Sequence, residues 1–337
     1  DIIIKYYEIN PDGQKAVHFK IRQYNKMISI LKTYPSNEIT DIGALKEHFI
    51  KNGIKNPKTA IEKATAYKDT GKIPLAEKAL LVPQINSVIN LTKVYGIGPK
   101  NAIKLFNAHG ISDISELKTK YELDPSIINA KQAIGLKYFD DLETRIPRKE
   151  MNSYKKKLEE IVKKIPGLVM SINGSYRRGV KSSGDLDLLI TSSDSSKNPE
   201  ELRKKLISQL QDKGLVIGVL ATGKVKFMGI AKLTKRSKAR HIDIIHTTMD
   251  KYPFAQLYFT GSGGLNIQMR TLALTQGYSL NEYTMSHKTT KKPVESTLIN
   301  SKIGKDSFET EKDIFDFLGM EYLEPDQRNI ATAGKLE

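Results

Sequence analysis

Apolar positions recur with helical spacing over residues 1–147 and with strand-like density beyond them. The stretch 24–35, YNKMISILKTYP, spaces its apolar side chains for a helix that stops ahead of Pro35. Residues 58–68, KTAIEKATAYK, form a second amphipathic stretch closed by Asp69-Thr70-Gly71. Two prolines mark 72–83 as a linker, and 84–147 returns to helical spacing around a Gly-x-Gly turn. From about 148 the pattern becomes α+β. Strands are expected at 168–172, 185–190, 214–220, 225–233 and 241–248, alternating with helices such as 150–164 and 199–211. SSDSSKN at 192–198 reads as a polar surface loop, and no long internal repeat is present.

One stretch carries most of the chemistry. GSYRRGVKSSGDLDLLI (174–190) sets a Gly-Ser turn and two arginines ahead of a strand with Asp185 and Asp187. Residues i and i+2 of a strand share a face, so both carboxylates converge. Two such charges repel unless a cation lies between them, and hard oxygen donors suit Mg²⁺. A Gly-Ser turn beside paired arginines suits a triphosphate. The local reading is metal-dependent nucleotidyl transfer.

Composition narrows the partners. The 337 residues carry 54 basic and 38 acidic side chains, a net +16 that favours a polyanion such as nucleic acid. There are no cysteines, which excludes a disulfide scaffold, a zinc ribbon and a thiol nucleophile. The six histidines show no metalloprotease spacing, and no run of about 18 apolar residues suggests a membrane span. The chain starts at Asp1 with no signal-peptide pattern, so an intracellular location is expected, nucleus or cytoplasm being open.

Three further stretches carry weaker signals. VYGIGPKNAIKLF (94–106) opens a helix on a Gly-x-Gly turn, where Gly96 and Gly98 allow close approach to a phosphate and Lys100 adds charge; a purely structural turn reads equally well. Asp243, in HIDII, is an acid among β-branched residues and a candidate third ligand, or an outward-facing strand residue. YFTGSGGLNIQMR (258–270) combines two aromatics, a flexible turn and a helix bearing Asn266 and Arg270, suited to nucleotide selection or to plain core packing.

Together these motifs resemble the X family of DNA polymerases, of the beta kind, over essentially the full length. GSYRRGVKSSGDLDLLI is similar to its nucleotidyltransferase signature, LYFTGSGGLNIQMRTLALTQGYSLNEYT to its nucleotide-selecting part, VYGIGPK to its helix-hairpin-helix, 135–151 to its hinge and 311–325 to its C-terminus. The resemblance implies an α+β chain in four parts. These are a helical deoxyribose-phosphate lyase-like domain (1–82), a helix-hairpin-helix subdomain (83–147), a palm with a mixed sheet (148–250) and a small α+β nucleotide-selecting subdomain (251–337).

It further implies that Asp185, Asp187 and Asp243 bind two Mg²⁺ ions, with Mn²⁺ as a substitute. Arg145, Ser175, Arg178, Ser183 and Gly184 would hold the triphosphate. Tyr258 and Phe259 would line the sugar, Gly261 would also bind the nucleotide, Asn266 and Arg270 would read the minor-groove side, and Glu282 and Tyr283 would support a closed form. Lys63 falls on the Schiff-base lysine, with Lys20 and Tyr24 on the 5′-phosphate. Gly96, Gly98, Lys100, Lys226 and His241 would contact DNA, and the backbone of Thr92, Val94 and Ile97 would hold Na⁺ or K⁺. The implied partners are gapped or nicked duplex DNA and dNTPs, with a repair ligase or endonuclease beside a monomeric enzyme and no membrane.

The chain departs from the family pattern at several positions. Lys55 and Pro57 replace the first hairpin's Gly-x-Gly, Gly263 replaces an acid near the incoming base, and Ile267 replaces a lysine at the template base. Ile245 replaces an arginine that competes for a catalytic aspartate, and His241 one near the primer phosphate. Two readings stay open for the N-terminal part: a lyase, or a domain that only binds DNA ends. A dead scaffold or an RNA-directed nucleotidyltransferase fits the motif set less well.

Overall fold

The computed structural model describes residues 2–9, 14–31, 34–36 and 38–329. It divides into two compact units, one ending at Phe139 and the other starting at Asp140. The break falls inside the expected hinge at 135–151, ahead of the border anticipated after 147. The reason is that Ile146 and Pro147 ladder with Ser183 and Ser182 and so belong to the second unit.

The first unit is helical. The helix anticipated over 24–35 runs Gln14–Leu31, while Lys32 and Thr33 lie outside the described residues. Lys58–Thr70 ends on Gly71, whose left-handed φ of 68° terminates the helix as its sequence suggests. The linker expected at 72–83 is instead helix Pro74–Leu80 running into Pro83–Leu91. Both prolines open helices, where no amide donor is needed and a fixed φ fits. Leu45, Phe49, Ile30 and Ile54 form one core, and Val88, Leu91, Ile97, Leu105 and Leu117 another.

Among its described residues the second unit holds nine strands: β1 (Ile146–Pro147), β2 (Leu168–Ile172), β3 (Ser182–Ser183), β4 (Leu186–Ser192), β5 (Val216–Thr222), β6 (Lys226–Ala231), β7 (Arg240–His246), β8 (Tyr278–Leu280) and β9 (Met285–His287). Five build one sheet in the order β2-β4-β7-β6-β5, and only β4 and β7 are parallel. Leu186, Leu188, Ile190, Ile242 and Ile244 bury one face with helices Arg148–Val162 and Pro199–Asp212. Leu189 and Ile245, on the opposite face, pack on Ala255 of helix Tyr252–Thr260. A second core around Phe254, Leu265, Met269, Phe315 and Phe317 fills the C-terminal part. Among the described residues no helix is long and apolar enough to cross a membrane.

Candidate active site

Strand alternation delivers a charged cluster to one face of the sheet. Register sets Asp187 of β4 beside Asp243 of β7, Met228 of β6 beside Asp243, and Lys226 beside Ile245. Residues two apart share a face, so His241, Asp243, Asp187 and Lys226 all join Leu189 and Ile245. Asp185 immediately precedes β4, and its charge acts on Asp187. Asp243 is buried. Its Oδ2 ion-pairs with Lys226 Nζ, while Oδ1 lies 3.5 Å from His241 Nε2 and has no hydrogen-bond partner.

The electrostatics are those of crowded acids. Burial pushes the Asp187 carboxyl well above its usual range, and the charges of Asp185 and Asp243 push it further. Asp185 is also raised, chiefly by burial, with His241 opposing and Asp243 reinforcing the shift. As the side chains stand, no three His, Asp or Glu residues among those described surround one point as a ready-made metal cage. Asp243 is turned onto Lys226 instead. The donor set nonetheless fits a hard divalent cation: adjacent carboxylates that repel one another, and a buried Oδ1 lacking a donor.

The turn before β4 is built against these acids. Asn173 N–H donates to Asp187 O at 2.8 Å. Gly174 takes φ 58°, and a Cβ there would collide with Asp187 Oδ2. The anticipated Gly-Ser turn is the start of a short helix, Gly174–Arg177, which packs on β3 and β4. Ser175 on that helix is half-buried, Ser183 is buried and Gly184 is exposed. Exposed Arg145 is fixed to Ser182 through Nε to Oγ at 2.8 Å and Nη2 to the carbonyl at 2.5 Å.

Comparison with known proteins gives this geometry a lineage. The DNA polymerase beta palm model matches residues 145–249, the DNA polymerase beta thumb model 255–329, and the fingers domain of DNA polymerase lambda 90–143. The chain is 29% identical to Arabidopsis thaliana DNA polymerase lambda over 321 residues, 91% of this chain and 57% of that protein. It is 27% identical to the Rattus norvegicus DNA polymerase lambda over 350 residues, 96% of this chain and 59% of that one. It therefore spans less than two thirds of the length of these relatives. A crystal structure of Leishmania infantum polymerase beta in a ternary P/T complex is 30% identical and superposes with a TM-score of 0.65, over 74% of this chain and all of that one. The chain belongs to the X family of DNA polymerases.

In this family member the thumb residues named from sequence are together but mutually engaged. Tyr258 and Phe259 end helix Tyr252–Thr260, their rings meeting edge-on at 5.0 Å. Asn266 Nδ2 donates to the Tyr258 carbonyl at 2.8 Å. Arg270 covers the Tyr258 ring at 4.8 Å and reaches Glu282 at 3.3 Å, while Tyr283 is exposed. Gly261 has φ 69° and adjoins Ser262, whose hydroxyl caps helix Gly263–Thr275. Arg178, expected at the triphosphate, is engaged within the protein. It is buried, donating to Thr260 O at 2.8 Å and Asn329 Oδ1 at 3.0 Å.

A neighbouring trio escaped the sequence reading. Buried Glu311 accepts from Arg177 at 2.6 and 2.9 Å and from Arg328 at 2.6 Å, and Arg177 also reaches Thr260 Oγ1 at 2.6 Å. The first arginine of the Arg177-Arg178 pair and the acid of EKDIF were visible as residues, but nothing in their spacing joins positions 134 apart.

In the first unit Lys20, Tyr24 and Lys63 line one open groove, with Tyr7, Phe19 and Lys55. Lys63 Nζ lies 5.5 Å from the Tyr24 ring, Tyr24 stacks on Tyr7 at 6.0 Å, and Lys20 lies over Tyr7 at 4.9 Å. Burial pushes the Tyr24 hydroxyl up, with Lys20 opposing. Gly53, at φ 87°, turns the chain between helices Ile42–Lys51 and Lys58–Thr70, so helix–turn–helix geometry persists without the Gly-x-Gly. In the other hairpin Gly96, Gly98 and Lys100 are exposed, and Gly98 precedes helix Pro99–His109. Val94 and Ile97 are buried, and the Val94 carbonyl accepts from Ile97 N–H at 3.1 Å. Thr92 Oγ1 donates to Val88 O at 2.5 Å and accepts from Lys5 at 3.3 Å.

Proposed function

We propose that the chain is a template-dependent DNA polymerase that adds dNTPs to a primer 3′-hydroxyl in short gaps of duplex DNA, in base excision repair. The register of Asp187 against Asp243, with Asp185 two residues before Asp187, carries the reading. Asp185, Asp187 and Asp243 would hold two divalent ions, Mg²⁺ by the hardness of the donors. When bound, such ions supply Lewis-acid stabilisation of phosphoryl charge and lower the pKa of a coordinated hydroxyl. Asp243, beside the primer end, orients the hydroxyl oxygen. Arg145, Ser175, Ser183 and Gly184 present donors to the triphosphate, and the net +16 charge favours the DNA backbone. Tyr258 and Phe259 close on the sugar, with Asn266 and Arg270 released to the new pair.

The Lys63 groove supports a second step, 5′-deoxyribose-phosphate removal. There Lys63 Nζ attacks C1′ of the abasic sugar, and the adduct loses water to form an imine, with Lys20 and Tyr24 at the 5′-phosphate. Loss of a C2′ proton then breaks the C3′–O bond to leave a 5′-phosphate on the DNA, and water hydrolyses the imine to free Lys63. Borohydride trapping on nicked DNA bearing that group, with Lys63→Ala alongside, tests this step. An adduct lost in the variant supports it. No adduct, with gap filling intact, would leave a domain that only binds DNA ends.

A further inference from the structure

We propose that Lys226 is an internal counter-cation of the acidic cluster: it holds Asp243 while no metal is bound, and a divalent ion must displace it to gain that carboxylate. The inference rests on the polymerase reading, which makes Asp243 a metal-binding residue.

The strand register makes this contact. Lys226 on β6 lies opposite Ile245 on β7, one diagonal step from Asp243 on the same face. Ile245 is apolar and offers the ammonium nothing, so the diagonal carboxylate receives it. The two partners differ sharply in exposure. The Asp243 side chain is 8% exposed and the Lys226 side chain 41%. A long side chain with its head near water can leave for solvent at little cost, whereas the buried acid cannot. The pair is thus asymmetric: the lysine departs and the carboxylate stays.

The surroundings require such a charge. Asp185, Asp187 and Asp243 act on one another with like charge, and Lys226 is among the groups that ease both Asp185 and Asp187. His241 Nε2 faces the other oxygen of Asp243 at 3.5 Å. The position that the resemblance assigns to a competing arginine is filled by buried Ile245, and the cationic contact comes from the adjacent strand instead.

The test is Mn²⁺ binding to the full chain without DNA or nucleotide, followed by the electron paramagnetic resonance of free Mn²⁺. Lys226→Met removes the counter-cation and keeps the stem. Lys224→Met, two residues away and exposed, removes the same charge from the surface. Lys226→Met is expected to bind Mn²⁺ about tenfold more tightly, equivalent to ~1.4 kcal/mol, with Lys224→Met within about twofold of wild type. Unchanged or weaker binding by Lys226→Met overturns the proposal, as does equal tightening by Lys224→Met, which would mean a general charge effect. Primer extension by Asp185→Asn judges the polymerase reading separately: activity kept there sinks that reading, whereas activity lost there with Mn²⁺ affinity unmoved in Lys226→Met sinks only the counter-cation.

Discussion

Gly174 lies directly against the carboxylate of Asp187, in a backbone conformation, φ 58°, that side chains rarely adopt. The turn and the acid are therefore one unit. Gly174→Ala is expected to push Asp187 aside and lower primer extension by about 100-fold, since misplacement of about 1 Å has that order of effect. Stability should fall by about 1–3 kcal/mol from the strained backbone. Gly184→Ala, where a Cβ meets nothing within 4 Å, should change stability little. Extension assays and thermal melts of the two variants check this.

Crowded acids suit a metal and burden a metal-free fold. Asp187→Asn is expected to abolish extension yet raise the melting temperature in EDTA, by roughly 2–4 °C for each kcal/mol of relieved repulsion. A melting temperature lowered by the substitution would contradict the crowding described for Asp185, Asp187 and Asp243.

Glu311 joins two arginines whose charges have no other carboxylate in the hydrogen-bond network described. Glu311→Ala leaves both uncompensated, Arg328 being fully buried. The expected loss is about 3–5 kcal/mol, read from urea unfolding. Lys312→Ala, which breaks only an exposed pair with Asp316, should cost under about 1 kcal/mol.

His246 gives stability a pH dependence of definite sign. Burial holds its imidazole below the usual 6.5, with the Arg203 charge adding to the effect. The unfolded chain then binds more protons than the native one below pH 6.5, so stability falls as pH drops through the window between 6.5 and the lowered native value. Urea midpoints at about pH 5.5 and 7.5 should differ less in His246→Gln than in wild type.

The palm was the most legible part of the sequence. LVMSI is β2 over the anticipated residues, and the period-two pattern of DLDLLI placed Asp185 and Asp187 on one side. The helices on the other face follow from their apolar stripes. Local signals failed where one residue type serves two ends. Pro74 and Pro83 read as breaks because proline stops helices, yet each starts one. Contacts between distant segments left no trace in spacing. The Arg177–Glu311–Arg328 bridge, the burial of Arg178 against Thr260 and Asn329, and the diagonal Lys226–Asp243 pair all depend on register and packing, which hydrophobic periodicity does not encode.

The most direct measurement is extension of a primer across a one-nucleotide gap with each dNTP singly, in Mg²⁺ and in EDTA, by wild type and Asp243→Asn. The account predicts addition of the templated nucleotide alone, none in EDTA, and a loss of at least about 10³-fold in the variant. Addition that ignores the template, or an Asp243→Asn enzyme that extends as wild type does, would contradict it.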